Sequence, residues 1–260
     1  MPSGRVRHTS IKQALAGILL VLWTVPPAPA IGAPEDFPKP PRLETQVAFW
    51  KKVFAEYSEN QVVIHDNAYL DKIYTVIDLR PLAESGASDE TLRRERHRRQ
   101  QQELNRIDAT LVRLAGGGYT PDDLAPADRA IFDLLRDIDE PRKFTQARER
   151  VRAQQGLRER MRRGIEMSRR YLPYMEDIFR REGLPVELTR LPFVESSFNI
   201  HAYSKAGAAG IWQFIPSSAR IYLELNRVED SRRDPLAATV GAARHLRDDY
   251  QALGTWPLAI

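Results

Sequence analysis

Cysteine is absent from the 260 residues, so the chain folds without disulfides and offers no thiol for a lipid anchor. Long apolar runs are missing as well. The run at residues 14–25 is about a dozen long, short of the roughly 20 that a membrane-crossing helix needs. Net charge is small: the formal value is +4, and Arg5, Arg7 and Lys12 all precede the first acid, Glu35. Without those three cations the remainder carries +1. A chain this close to neutral lacks the electrostatic footprint of a nucleic-acid binder. No internal repeat, low-complexity tract or sustained strand alternation is present. Leu, Ile and Val recur instead at helical spacings, which predicts a mainly α protein.

The first residues have the anatomy of a secretory leader: early cations, an apolar centre, then Pro26-Pro27-Ala28-Pro29-Ala30 with small residues suited to signal peptidase. The reading is a signal peptide over 1–30 and a proline-rich linker over 31–42, then a helical N-terminal region over 43–159. It implies export to the periplasm or cell envelope, with peripheral association possible and no lipid-anchor cysteine.

Within 43–159, Val47, Trp50, Phe54 and Tyr57 fall three or four apart and predict one buried helical stripe. Val62-Val63-Ile64 suits a short extended piece. The following His65-Asp66 pair has no serine or cysteine nucleophile pattern to work with. The arginine-dense run at 91–99 continues into Leu104, Ile107, Leu111 and Leu114, so it reads as the solvated face of one amphipathic helix stopped by Gly116-Gly117-Gly118. Thr120-Pro121 opens the next element, with Ile131, Leu134, Leu135 and Ile138 as its buried side. Beyond Pro141, residues Leu157, Met161, Ile165, Leu172, Met175 and Ile178 predict a recurring apolar face that ends at Gly183-Leu184-Pro185.

Chemistry concentrates after Pro185. A helix started there runs into Glu195, whose neighbours Phe193, Val194 and Phe198 are apolar. An apolar setting disfavours the charged carboxylate and raises its pKa into the range of a general acid. The small residues of Tyr203-Ser204-Lys205-Ala206-Gly207-Ala208-Ala209-Gly210 allow backbone to approach a ligand closely. Ile211-Trp212-Gln213-Phe214 adds an aromatic face and an amide suited to sugars, although an indole such as that of Trp212 is more often core than platform.

Gly183-Leu-Pro-Val-Glu-Leu188, Glu195-Ser196-Ser197-Phe198-Asn199, Ser204, Gly207-Ala-Ala-Gly-Ile-Trp-Gln-Phe214 and Asp234-Pro235 together resemble the lytic murein transglycosylases with a goose-lysozyme-like SLT domain, closest to the membrane-bound D type. Ordered blocks at family spacing are far more specific than a lone motif. The resemblance implies a lysozyme-like α domain over 160–260, with Glu195 as the sole catalytic acid and base. It implies that Ser204 and Gln213 bind N-acetyl groups, that Ile215 helps close the same wall and that Ser196 orients the glutamate.

The implied partner is the glycan strand of peptidoglycan, with no nucleic acid, cofactor or metal. The implied reaction cleaves the MurNAc–GlcNAc β-1,4 bond without water and leaves 1,6-anhydromuramoyl ends. Two departures accompany this. Ile200 replaces a common proline or alanine, and the family's Ala-Tyr-Asn segment would follow Thr255-Trp-Pro-Leu-Ala-Ile260, which makes the expected domain incomplete. The LysM repeats often found downstream in the D type are likewise not among these residues. Two rivals stay open: a hydrolytic goose-type lysozyme using Asp230 or Asp234 as base, and a non-catalytic peptidoglycan-binding module.

Overall fold

A computed structural model describes residues 37–260; the leader and the first part of the linker fall outside the described residues. The described chain is mainly helical, with eleven α-helices and one small sheet.

Helix α1 (Glu44–Ala55) leads into β1 (Gln61–Asp66) and β2 (Ile73–Asp78). β1 is buried throughout and lies in the middle of a three-stranded antiparallel sheet, order β2-β1-β3. The short helix α2 (Arg80–Glu84) follows, then α3 (Asp89–Gly116). Ser88 caps α3 by accepting the Thr91 N–H, and Asp89 and Glu90 occupy the first turn where the helix dipole favours acids. Along α3, Leu92, Ile107, Leu111 and Leu114 are buried. Of the arginines in its amino-terminal half, Arg93, Arg94 and Arg98 are exposed, whereas Arg96 and Arg99 are half-buried and reach the Glu59 and Asp78 carbonyls; Arg98 and Arg99 pair with Glu95. α4 (Pro126–Leu134) and α5 (Lys143–Arg150) complete a core made from β1, α3 and Ile131, Leu135 and Ile138.

Three expectations change in this half. The region 43–159 is not purely helical, because residues 61–66, 73–78 and 151–155 form the sheet. The α1 stripe is rotated: Phe49 and Val53 are buried against Val63 and Leu70, while Val47 and Trp50 face outward. Both sides of α1 are apolar, and the side that met a partner was the i, i+4 pair. Finally, the charged stretch after Pro141 is broken by β3 (Val151–Gln155), a polar segment whose extended form comes from pairing with β1.

The exit from β3 is fixed by backbone. Gly156 N–H donates to the Gln61 carbonyl (3.0 Å), Leu157 N–H to Val53 (2.8 Å) and Arg158 N–H to Tyr57 (3.1 Å). This junction sets the start of α6 (Arg158–Ser168), which α7 (Leu172–Arg181) follows. Ile165, placed on the predicted apolar face, is exposed.

A separate core lies beyond. Met175 and Phe179 of α7 meet Leu188, Phe198, Ile211, Trp212 and Phe214, with Ala238, Ala242, Ala243 and Leu246 of α10 (Pro235–Leu253) closing it. Asp234 caps α10 by accepting the N–H groups of Leu236 and Ala237, and Gly254 ends the helix in the left-handed region. Between α7 and α10 lie a 3-10 segment (Val186–Arg190), α8 (Leu191–Ser196) and α9 (Pro216–Tyr222). The last element is α11 (Trp256–Ala259), whose Trp256 is stacked on Tyr250.

Candidate active site

Glu195 is the penultimate residue of α8, at the end of a short helix launched by Pro192 in its first turn. The chain then leaves through Ser197 (φ 52°) and Phe198 (φ 58°), both left-handed. Gln213 (φ 50°) is the third non-glycine residue with positive φ among the described residues. Such conformations cost about 1–2 kcal/mol each for side-chain-bearing residues. All three line one groove with Glu195.

That groove is a cavity of about 840 Å³. One wall is the segment 194–204, with Gln213 behind it; the other comes from α6, through Arg160, Arg163, Gly164 and Met167. A second, smaller cavity of about 200 Å³ lies on the other side of Glu195 and Gln213, lined by Trp212, Phe214, Ile215, Ser218, His245 and Asp249 among others. Glu195 and Gln213 therefore form the ridge between two depressions.

The Glu195 side chain makes no hydrogen bond or ion pair with any described residue. Burial of part of its surface pushes its pKa above the ordinary carboxylate value, and no neighbouring charge offsets this. The side chain is exposed on the groove side, where it can exchange a proton with a ligand.

The other predicted residues divide between the two depressions. Ser196 lines the larger groove, but its hydroxyl is within bonding distance of the Pro192 (3.1 Å) and Ile211 (3.0 Å) carbonyls. It stitches the glutamate helix to the 207–214 loop. Ser204 lines the same groove; its Oγ accepts the Ala208 N–H (3.0 Å), which leaves its own O–H to donate outward. Gln213 donates from Nε2 to the Gly210 carbonyl (2.8 Å), which holds the amide at the ridge. Ile215, 44% exposed, borders the smaller cavity and not the groove that holds Ser196 and Ser204. Trp212 is core: its ring stacks on Phe179 at 5.7 Å, and Nε1 donates to Thr239 Oγ1 (2.9 Å).

Several residues that shape the site were invisible to pattern reading. Arg232 is buried, clasps Asp230 through two nitrogens (2.7 and 2.8 Å) and donates to the Gly207 (2.8 Å) and Phe214 (3.3 Å) carbonyls. The guanidinium thus braces the 207–214 loop from behind and holds the Asp230 carboxyl below its usual range. Gly210 (φ 74°) allows this, because a Cβ there would collide with the Arg232 carbonyl. Gly164 plays the same part on the opposite wall: a Cβ would overlap the Ser197 carbonyl, so glycine lets α6 close on the end of α8. An isolated glycine inside a helical pattern was the available signal, since it costs about 1 kcal/mol relative to alanine unless backbone approaches there. Tyr203, exposed and with the Arg233 guanidinium 5.9 Å from its ring centre, adds an aromatic face to the groove.

Neither acid considered as a second catalytic carboxylate lines either depression: Asp230 is held by Arg232 and Asp234 caps α10. Glu195 is the one acid along the larger groove among the described residues, and Asp249 in the smaller cavity lies 3.3 Å from His245. No group of three or more His, Cys, Asp or Glu residues is arranged to hold a metal among the described residues.

Residues 176–260 match the family model of the Transglycosylase SLT domain. Membrane-bound lytic murein transglycosylase D of Escherichia coli (strain K12) is 41% identical over 92 residues, covering 35% of this chain and 20% of that protein. The protein of the same name from E. coli O6:H1 (strain CFT073 / ATCC 700928 / UPEC) matches to the same extent. A protein named for tributyltin chloride resistance, from Alteromonas sp. (strain M-1), is 33% identical over 92 residues, 35% of this chain and 44% of its own length. The match thus spans about a fifth of the E. coli transglycosylases. The matched segment begins within α7, so α6 with its groove wall precedes it.

Proposed function

We propose that this protein is a peptidoglycan lytic transglycosylase, with a catalytic unit over 160–260 and Glu195 as its single acid and base. The neutral Glu195 carboxyl gives its proton to the oxygen between N-acetylmuramic acid and N-acetylglucosamine, and the C1–O bond breaks, releasing the glucosamine 4-hydroxyl. The carboxylate then takes the proton of the muramoyl C6 hydroxyl as that oxygen bonds to C1, closing a 1,6-anhydro ring. Protons and bonds balance, and Glu195 ends as it began. The intramolecular hydroxyl replaces water, so no second carboxylate is needed.

The observation that carries this reading is the isolation of Glu195: among the described residues it is the sole acid of an 840 Å³ groove, without a hydrogen-bond or ion-pair partner, and its pKa is raised by burial. Ser204 and Gln213, as groove-lining polar groups, are proposed to bind the acetamido groups; Ser196 positions the helix end, and Ile215 borders the neighbouring depression. A hydrolytic lysozyme needs a base across the cleft, and the engagement of Asp230 and Asp234 elsewhere argues against it. The proposed place of action is the periplasm or envelope; no described helix is long and apolar enough to cross a membrane.

The test is mass spectrometry of peptidoglycan digested by the protein and by Glu195→Gln. Anhydromuramoyl products, lighter by one water than hydrolysis products, are expected from the parent. Reducing ends alone would assign a hydrolase. Binding to sacculi without product, identical in parent and variant, would assign a binding module.

A further inference from the structure

The wall of the groove built by α6 carries charge that the proposed proton transfers do not use. Arg160, Arg163, Gly164 and Met167 follow one another at helical spacing and all line the cavity. They face the segment from Val194 to Ser204 across it. Contact of Gly164 with the Ser197 carbonyl fixes this face of the helix next to the residues that follow Glu195. Arg160 lies one turn before that contact, about 6 Å along the axis from the 1.5 Å rise per residue.

The two guanidiniums have little to neutralise them. Arg163 reaches Glu59 Oε2 at 3.1 Å with one terminal nitrogen and remains more than half exposed. Arg160 makes no ion pair or side-chain hydrogen bond with any described residue. The groove offers them no other acid than Glu195, and no guanidinium acts on the Glu195 carboxyl, whose shift has burial as its cause. The cations therefore address a portion of the ligand away from the bond beside Glu195. Two arginines in a groove otherwise lined by hydroxyls, the amides of Asn199 and Gln213, His201, apolar groups and the single acid Glu195 suit a carboxylate, which a guanidinium meets in a bidentate fork.

We infer that Arg160 and Arg163 form a carboxylate subsite, which recognises the acidic peptide attached to the lactyl group of muramic acid and makes the enzyme favour peptide-bearing glycan over bare glycan. This rests on the proposed function, since it assigns a second part of the same substrate to the same groove. It also gives α6, which lies before the matched domain, a part in choosing the substrate.

The experiment compares two substrates, peptide-bearing glycan strands and strands stripped of peptide by an amidase, and reads the ratio of kcat/KM between them. The parent is expected to favour the peptide-bearing strands. Arg160→Gln combined with Arg163→Gln should lower that preference about tenfold, the value of a charge-assisted hydrogen bond, mainly through KM. Arg160→Lys combined with Arg163→Gln should restore part of it, and rising salt should erode it in the parent more than in the double variant. Circular dichroism establishes that each variant is folded. Should the parent cleave both substrates with a ratio that the double variant leaves unmoved, the subsite is overturned while the catalytic reading stands. Should the parent give no anhydro product from either, the catalytic reading falls and this inference with it.

Discussion

Asp66 and Glu195 are two carboxylates, one in each half of the molecule, and their surroundings differ. Asp66 ends β1 with no exposed surface; it accepts the N–H groups of Ala68 (2.8 Å) and Tyr69 (3.1 Å) and pairs with Arg150 (2.9 Å). Arg150 and the Tyr69 hydroxyl in turn share Glu140, each at 2.8 Å. Burial of the Asp66 carboxylate is tolerated there because backbone N–H groups and a guanidinium replace water around it. Glu195 is partly buried and has no hydrogen-bond or ion-pair partner among the described residues. Partners make a buried acid a piece of scaffolding, and a carboxyl without them is left free to exchange a proton with a ligand.

Exchanging amide for carboxyl at the two positions should separate these roles. Glu195→Gln is expected to lose about 10² to 10⁴ of the cleavage rate, the range that general acid catalysis supplies, in turnover assays, with no fall in melting temperature. Asp66→Asn should do the reverse: it removes one charge of the Asp66–Arg150 pair and lowers stability by about 3–5 kcal/mol in urea titrations, while the folded fraction keeps its turnover. A stable Asp66→Asn, or an unstable Glu195→Gln, would erase the distinction.

The walls offer a finer comparison. Gly164→Ala should destabilise by about 1–3 kcal/mol through overpacking and slow turnover by up to about 10²-fold as α6 is pushed from Glu195. Gly116→Ala, where a Cβ meets nothing within 4 Å, should lie within about 1 kcal/mol of the parent.

The smallest effect is in pH. Because the folded-state pKa of Glu195 is raised, ionisation opposes folding: the cost is absent well below the ordinary value of 4.5 and complete above the folded value. Glu195→Gln should therefore be more stable than the parent at pH 7 and equal to it near pH 3, read by thermal melts. Glu159 has the opposite sign. Its burial resists ionisation, yet the Glu59 N–H and Arg158 overcome this and bring its pKa to about 2. Stability from Glu159 is present above 4.5 and drains away as pH falls towards 2, so Glu159→Gln should destabilise at pH 7 and not at pH 2.

The parts of the site that are close in sequence were legible. Glu195, Ser196, Ser204 and Gln213 fall within one short stretch, and the structure lines one groove with all four. The mainly helical fold and the long α3 also follow from local chemistry, because periodicity acts over a few residues. What stayed hidden depends on distant partners. Val151-Arg-Ala-Gln-Gln155 carries no strand pattern and becomes β3 because β1 has an open edge. Phe49 and Val53, not Val47 and Trp50, became the inner face of α1 because β1 and Leu70 lie on that side. Arg232 looks like any surface arginine between Asp230 and Arg233 until the loop it braces is in place.

The join between β3 and α6 has a consequence for how the cleft comes into being. Strand β3 pairs with β1, about ninety positions earlier in the chain, and Leu157 and Arg158 dock on the carbonyls of Val53 and Tyr57. Loop closure over such a separation is slow compared with local helix formation. A fragment beginning at residue 176 would retain the glutamate and its small-residue loop but would present them as an open shelf, because the facing bank is delivered by the amino-terminal half.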